Sequence, residues 1–157
     1  MIDKMPSPGI ISNAVLTLLW KLRGFPVDSV NIAKQLGVRA LKARLPEGVA
    51  ASMIKNIGGD PTILVDEFDS DNRKRFLFAK MLGYHLLRLE MDSHEPIICY
   101  RDSMFLSSDN EERFAIEFAI NLLLPPEELD EMRDTTGVEF IAHFGIPSEL
   151  IKLIDRK

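Results

Sequence analysis

The chain has 157 residues, 46% of them hydrophobic and 27% charged, with only 9 glycines and 9 prolines. This composition argues against a disordered or fibrous protein and predicts one globular domain with a real core. With 19 lysines and arginines against 24 aspartates and glutamates, the net charge is -5, the wrong sign for a protein whose main task is neutralising phosphate.

Ile11, Ala14, Val15, Leu18, Leu19 and Leu22 recur at helical spacing and predict a helix over 9–23, stopped by Gly24 and Pro26. Asp28 can cap a shorter helix over 28–36, with Val30, Ala33 and Leu36 on one face and Gly37 as its left-handed end. The period then changes. Val38–Leu45, Val49–Ile57 and Thr62–Val65 are short β-type runs separated by Pro46-Glu47-Gly48 and Gly58-Gly59-Asp60-Pro61, predicting a small antiparallel sheet of three strands.

Arg73–Leu89 returns to helical spacing, with Phe76, Leu77, Met81, Tyr84 and Leu87 tracking one side. Ile97–Tyr100 reads as a further short strand. Ser108 followed by Glu111 has the form of a capping box before a helix ending at Pro125-Pro126. The tail divides into short helices over 126–134, 136–144 and 147–155, broken at Gly137 and Gly145-Ile146-Pro147.

Charge is uneven along this order: residues 1–106 carry 14 basic and 12 acidic side chains, and 107–157 carry 5 and 12. A lone cysteine, Cys99, cannot close an intramolecular disulfide, and no Cys/His spacing forms a zinc knot, so a reducing, cytoplasmic setting is expected. No apolar run reaches the ~18–20 residues of a membrane span, and no charged leader with a cleavable apolar run begins the sequence, so no membrane is expected.

Thr62-Ile63-Leu64-Val65-Asp66 followed by Arg73-Lys74-Arg75-Phe76-Leu77-Phe78-Ala79-Lys80-Met81-Leu82-Gly83-Tyr84 resembles the ImmA/IrrE family of metallopeptidases, where a strand leads into an Arg-Phe-Thr-Leu-Ala-His-Glu-Leu-Gly-His helix. The likeness extends to Pro26-Val27-Asp28 with Ala33 and Leu36-Gly37, to Ala115, Phe118-Ala119 and Leu122-Leu123-Leu124-Pro125, and to Phe144-Gly145-Ile146-Pro147 with Leu150. It implies an α+β, zincin-like fold with a small, mainly antiparallel, three-stranded sheet. One domain over 1–157 is expected, with N-terminal helices over 1–37, a degenerate peptidase core over 38–125 and C-terminal helices over 126–157.

The family's chemistry needs two histidines four residues apart, because that spacing puts both imidazoles on one helix face where zinc can bridge them. A glutamate beside the first serves as general base and a carboxylate from the next helix completes the ligands. In this sequence the resemblance places Lys80 and Tyr84 at the histidines, Met81 at the base and Phe114 at the third ligand. An ammonium repels zinc, a thioether takes no proton from water, and a phenyl ring offers no lone pair. The expectation is a pseudopeptidase with no catalytic residue, metal ligand or cofactor, its former zinc-site positions Lys80, Met81, Tyr84 and Phe114 serving as a partner-binding cleft.

Other candidates are weaker. His85 stands one residue past the second position, a turn of about 100° away, and reads as an ordinary core or surface histidine. Glu90, Asp92, His94 and Glu95 have ligand-type atoms on a polar loop, where solvation is the simple reading. His143 lies among apolar neighbours and reads as packed. Arg73-Lys74-Arg75 at a helix start reads as a solvated face, although the helix dipole disfavours cations there. The helices around Gly145-Ile146-Pro147 imitate a helix-turn-helix, but the second begins Pro147-Ser148-Glu149 and 127–157 carries 8 acidic and 4 basic residues, so protein contact is favoured over DNA.

Relatives in the resembled family recognise repressors of mobile elements and stress regulators and cut them. Loss of the metal leaves recognition possible, which points to a prophage-type antirepressor that binds a basic, DNA-binding regulatory protein without touching nucleic acid itself. The alternatives are an enzyme rebuilt around Lys80, or around a displaced metal at His85 and the 90–95 loop, and a structural subunit.

Overall fold

The computed structural model describes residues 24–55, 59–90 and 95–154. The helix expected over 9–23 and residues 91–94 of the polar loop lie outside the described residues. Helix α1, Ser29–Gln35, starts where the Asp28 carboxylate accepts the Asn31 N–H at 3.0 Å. It ends at Gly37, whose φ of 77° suits a residue without Cβ.

The sheet comprises β1 (Arg39–Ala43), β2 (Val49–Lys55), β3 (Pro61–Asp66) and β4 (Ile97–Tyr100), in the order β1-β3-β2-β4. It has four strands rather than three. β2 pairs antiparallel with β3 and β4, while β1 pairs parallel with β3. The chain therefore does not fold β1 and β2 into a hairpin: β3 inserts between them, and Arg39, Leu41 and Ala43 pair with Thr62, Leu64 and Asp66. Alternation decides which face is buried: Ala51, Met53, Ile63, Val65, Ile97 and Cys99 point inward, while Leu41, Ile54, Ile98 and Tyr100 are exposed.

Helix α2, Asp71–Glu90, crosses the inner face. Every position from Phe76 to His85 is buried, so the one-sided apolar stripe expected from spacing is in fact an all-round buried segment. The sheet and α1 cover one side of α2, and α3 (Asn110–Leu123) covers the other. The cap of α3 is Asp109, whose carboxylate accepts the Glu112 N–H at 2.9 Å, one position later than the Ser108–Glu111 pattern suggested. An aspartate already in extended geometry fills that role directly.

Three short helices follow, α4 (Pro126–Glu131), α5 (Gly137–Phe144) and α6 (Glu149–Ile154). The basic run at the start of α2 is not simply solvated, since it anchors this tail. Arg73 pairs with Glu149, Arg75 Nη1 donates to the Gly145 carbonyl at 2.8 Å, and Asn72 Nδ2 donates to the Ile146 carbonyl at 3.0 Å. Among the described residues no helix is long and apolar enough to cross a membrane.

Candidate functional site

The centre of the candidate site is the middle of α2, where the sheet's inner face, α3 and the segment after β4 converge. Lys80 is fully buried there. Its Nζ donates to the Ser103 carbonyl at 3.0 Å, the Met104 carbonyl at 3.1 Å and the Cys99 sulfur at 3.3 Å. The expected neighbour Tyr84 is not its hydrogen-bond partner. Residues Arg101–Ser103 form a 3-10 turn leading out of β4, so two of the acceptors are carbonyls at a turn's end, where no helical N–H follows to satisfy them.

Tyr84, one turn on, is nearly buried. Burial first, and then the charges of Glu112 and Cys99, push its phenol far above the ordinary value. Glu112 itself accepts a hydrogen bond from Ser103 Oγ at 2.8 Å. Burial likewise pushes the Cys99 thiol up, and the Lys80 charge and hydrogen bond oppose that shift. Met81 and Phe114 are buried in the apolar core. Lys80, Met81, Tyr84 and Phe114 therefore all sit inside the protein.

A second polar knot closes the same segment from outside. Arg101 Nη2 donates to Asp66 Oδ2 at 2.6 Å, and its two terminal nitrogens reach Asp69 at 3.0 and 3.1 Å. Asp66 ends β3 and Asp69 precedes α2, so one guanidinium joins three elements with the bidentate geometry that arginine favours.

The IrrE N-terminal-like domain, a peptidase-related family, matches residues 33–153. The chain belongs to this family. Among solved structures, a Mycobacterium tuberculosis transcriptional regulator is similar in fold, with a TM-score of 0.58 and 13% identity, over 90% of this chain and 44% of that chain. The chain thus spans under half the length of that regulator, and the likeness is one of fold. No curated protein matches the sequence.

Zinc is the metal the family implies, and the residues present do not fit it. An IrrE-like zinc centre needs deprotonated nitrogen or oxygen donors, whereas this chain offers a lysine whose hydrogens are all directed at protein acceptors, a thioether, a phenol held protonated by burial and a phenyl ring. Among the described residues no three His, Cys, Asp or Glu side chains come together as an alternative metal site.

The other candidates disperse. His85 is buried beside Lys55, and burial followed by that lysine's charge lowers its pKa. It lines a small pocket with Met53, Pro61 and Arg88, apart from the Lys80 partners. Of the polar loop, Glu95 stands 3.9 Å from Arg88, and Asp92 and His94 lie outside the described residues. His143 packs on Phe25 with ring centroids 5.3 Å apart and meets Glu128 at 2.8 Å. The sequence reading takes Cys99 only as a lone cysteine and leaves out Ser103 and Glu112, because the turn after β4 that brings Ser103 to Lys80 and Glu112 has no local signature.

Proposed function

We propose that this IrrE-like chain is a non-hydrolytic, cytoplasmic regulator that binds another regulatory protein, a phage or mobile-element repressor, instead of cutting it. One observation carries the reading: Lys80, which the family resemblance sets at the first histidine, has its Nζ bonded to three protein atoms. Nothing at that position can activate a water molecule.

The binding surface we propose begins at β4, one of the two terminal strands of the sheet. A terminal strand presents unpaired backbone groups that can hold a partner's extended segment. Ile98 and Tyr100 are exposed on it, at 48% and 54% of their full surface, and an exposed tyrosine is a common binding anchor. Lys80 lies beneath this surface, bonded to Cys99 of β4 and to the turn that follows, while Met81, Tyr84 and Phe114 are buried in the core, so the contact surface is the strand edge above these four side chains. The acidic 107–157 segment suits a basic, DNA-binding partner, because opposite fields speed association and exclude acidic competitors.

Incubating the purified chain with a repressor encoded beside its gene tests this directly. The proposal expects a stable complex by size-exclusion chromatography, with the repressor intact on a denaturing gel after incubation with added zinc. Zinc-dependent cleavage of the repressor contradicts it.

A further inference from the structure

We infer that the Lys80 side chain does in this chain the cross-linking work a bound metal does in a metalloprotein. It joins α2 to β4 and the turn behind it. Nζ reaches two carbonyl oxygens and the Cys99 sulfur, so one side chain is fastened at three points of the same segment. Among the described residues no carboxylate pairs with this lysine. The compensation comes instead from two carbonyl dipoles and a sulfur, all within 3.3 Å.

The acceptors need the lysine as much as it needs them. The Ser103 and Met104 carbonyls close the 3-10 turn and, without Lys80, would lose their charged partner in a buried setting. Lys80 thus spans 19, 23 and 24 residues of sequence to three points on one segment, as a metal fastens ligands from separate elements. Ser103 Oγ to Glu112 and Arg101 to Asp66 and Asp69 hold the same segment from two other directions.

Cys99 reports whether this holds. It is the chain's lone cysteine and is fully buried, so a maleimide can modify it only when the segment opens. In Lys80→Met, which keeps length but removes the charge and donors, we expect the native-state rate of Cys99 labelling to rise at least ~10-fold and the thermal midpoint to fall. Removing the donors leaves the acceptors desolvated and unmatched. Labelling at or below the wild-type rate, with a raised midpoint, would mean that the lysine is merely tolerated and overturns the inference.

Should Lys80→Met fail to fold, the wild-type protein still decides. In proton–nitrogen NMR at neutral pH, one lysine ζ-ammonium should be protected from water exchange and show an Overhauser contact to the Cys99 β-protons. A spectrum in which no lysine ammonium is protected overturns the inference.

Discussion

Gly83 on α2 stands against Phe118 on α3 with no room for a side chain between them: a methyl group on Gly83 would lie 3.0 Å from both Cβ and Cδ1 of Phe118 and 3.1 Å from the Ala115 Cα. The two central helices meet at this point, so Gly83→Ala must push α3 away from the Lys80 segment. Overpacking of this kind costs about 1–3 kcal/mol, set against about 1 kcal/mol of helix propensity that alanine regains. We expect a net loss of stability in urea unfolding. A gain would mean that α3 shifts freely and that the helix contact does not position the site.

Arg101 is the second point to probe. Arg101→Ala leaves the Asp69 carboxylate, whose side chain is only 5% exposed, with the more distant Arg73 at 3.8 Å. Leaving a largely buried charge without its close partner costs about 2–3 kcal/mol after allowance for the partial exposure of the arginine. Asp69→Asn/Arg101→Ala should recover part of that loss, because it removes the stranded charge. A double variant no better than the single one would show that the guanidinium acts through packing alone.

His85 gives the protein a defined acid response. Its folded pKa lies below the ordinary value of about 6.5. As pH falls through that value the unfolded chain takes up the proton first, so the folded state loses stability between about pH 6.5 and the lower folded value. Above about pH 6.5 this histidine has no effect on the pH slope. His85→Gln should flatten the fall in urea midpoint between about pH 7.5 and pH 5.5 relative to wild type. Equal slopes in the two proteins would contradict the assignment.

Much of this architecture was legible in the sequence because local rules wrote it there. Asp28 and Gly37 bracket α1, the short β-branched run Thr62–Val65 marks β3, and Pro125-Pro126 ends α3. What escaped was non-local. The insertion of β3 between β1 and β2 depends on crossover, which a turn such as Pro46-Glu47-Gly48 does not encode. The three acceptors of Lys80 come from a 3-10 turn whose residues, Arg101-Asp102-Ser103, have no helical period to read. The resemblance to the family singled out Lys80, Met81, Tyr84 and Phe114, and all four are buried: Met81, Tyr84 and Phe114 fill the core, and Lys80 is fully hydrogen-bonded.

The proposed edge surface makes its own prediction. Ile98→Lys and Tyr100→Lys alter exposed positions of β4 and should leave the thermal midpoint near that of wild type. Each should weaken binding of a repressor partner by at least ~10-fold, since loss of a central anchor typically costs about 2 kcal/mol or more. Unchanged affinity in isothermal titration would move the partner to another face.

Restoring the family ligands tests the placement of the four positions. Lys80→His, Met81→Glu, Tyr84→His and Phe114→Glu together supply two imidazoles, a base and a carboxylate. Zinc affinity should rise well above that of the parent, even if hydrolysis does not return, because outer-shell partners are worth about 10–100-fold in affinity or activity. A folded variant that titrates with zinc no better than the parent would show that these positions do not converge.

We propose that a buried lysine, in place of a metal, occupies the heart of this IrrE-like domain. Equilibrium dialysis of the wild-type protein against zinc, followed by elemental analysis, tests it most directly. The zinc content should lie well below one per chain, with no shift in thermal midpoint on zinc addition. Stoichiometric zinc that chelator removes with a loss of stability would contradict it.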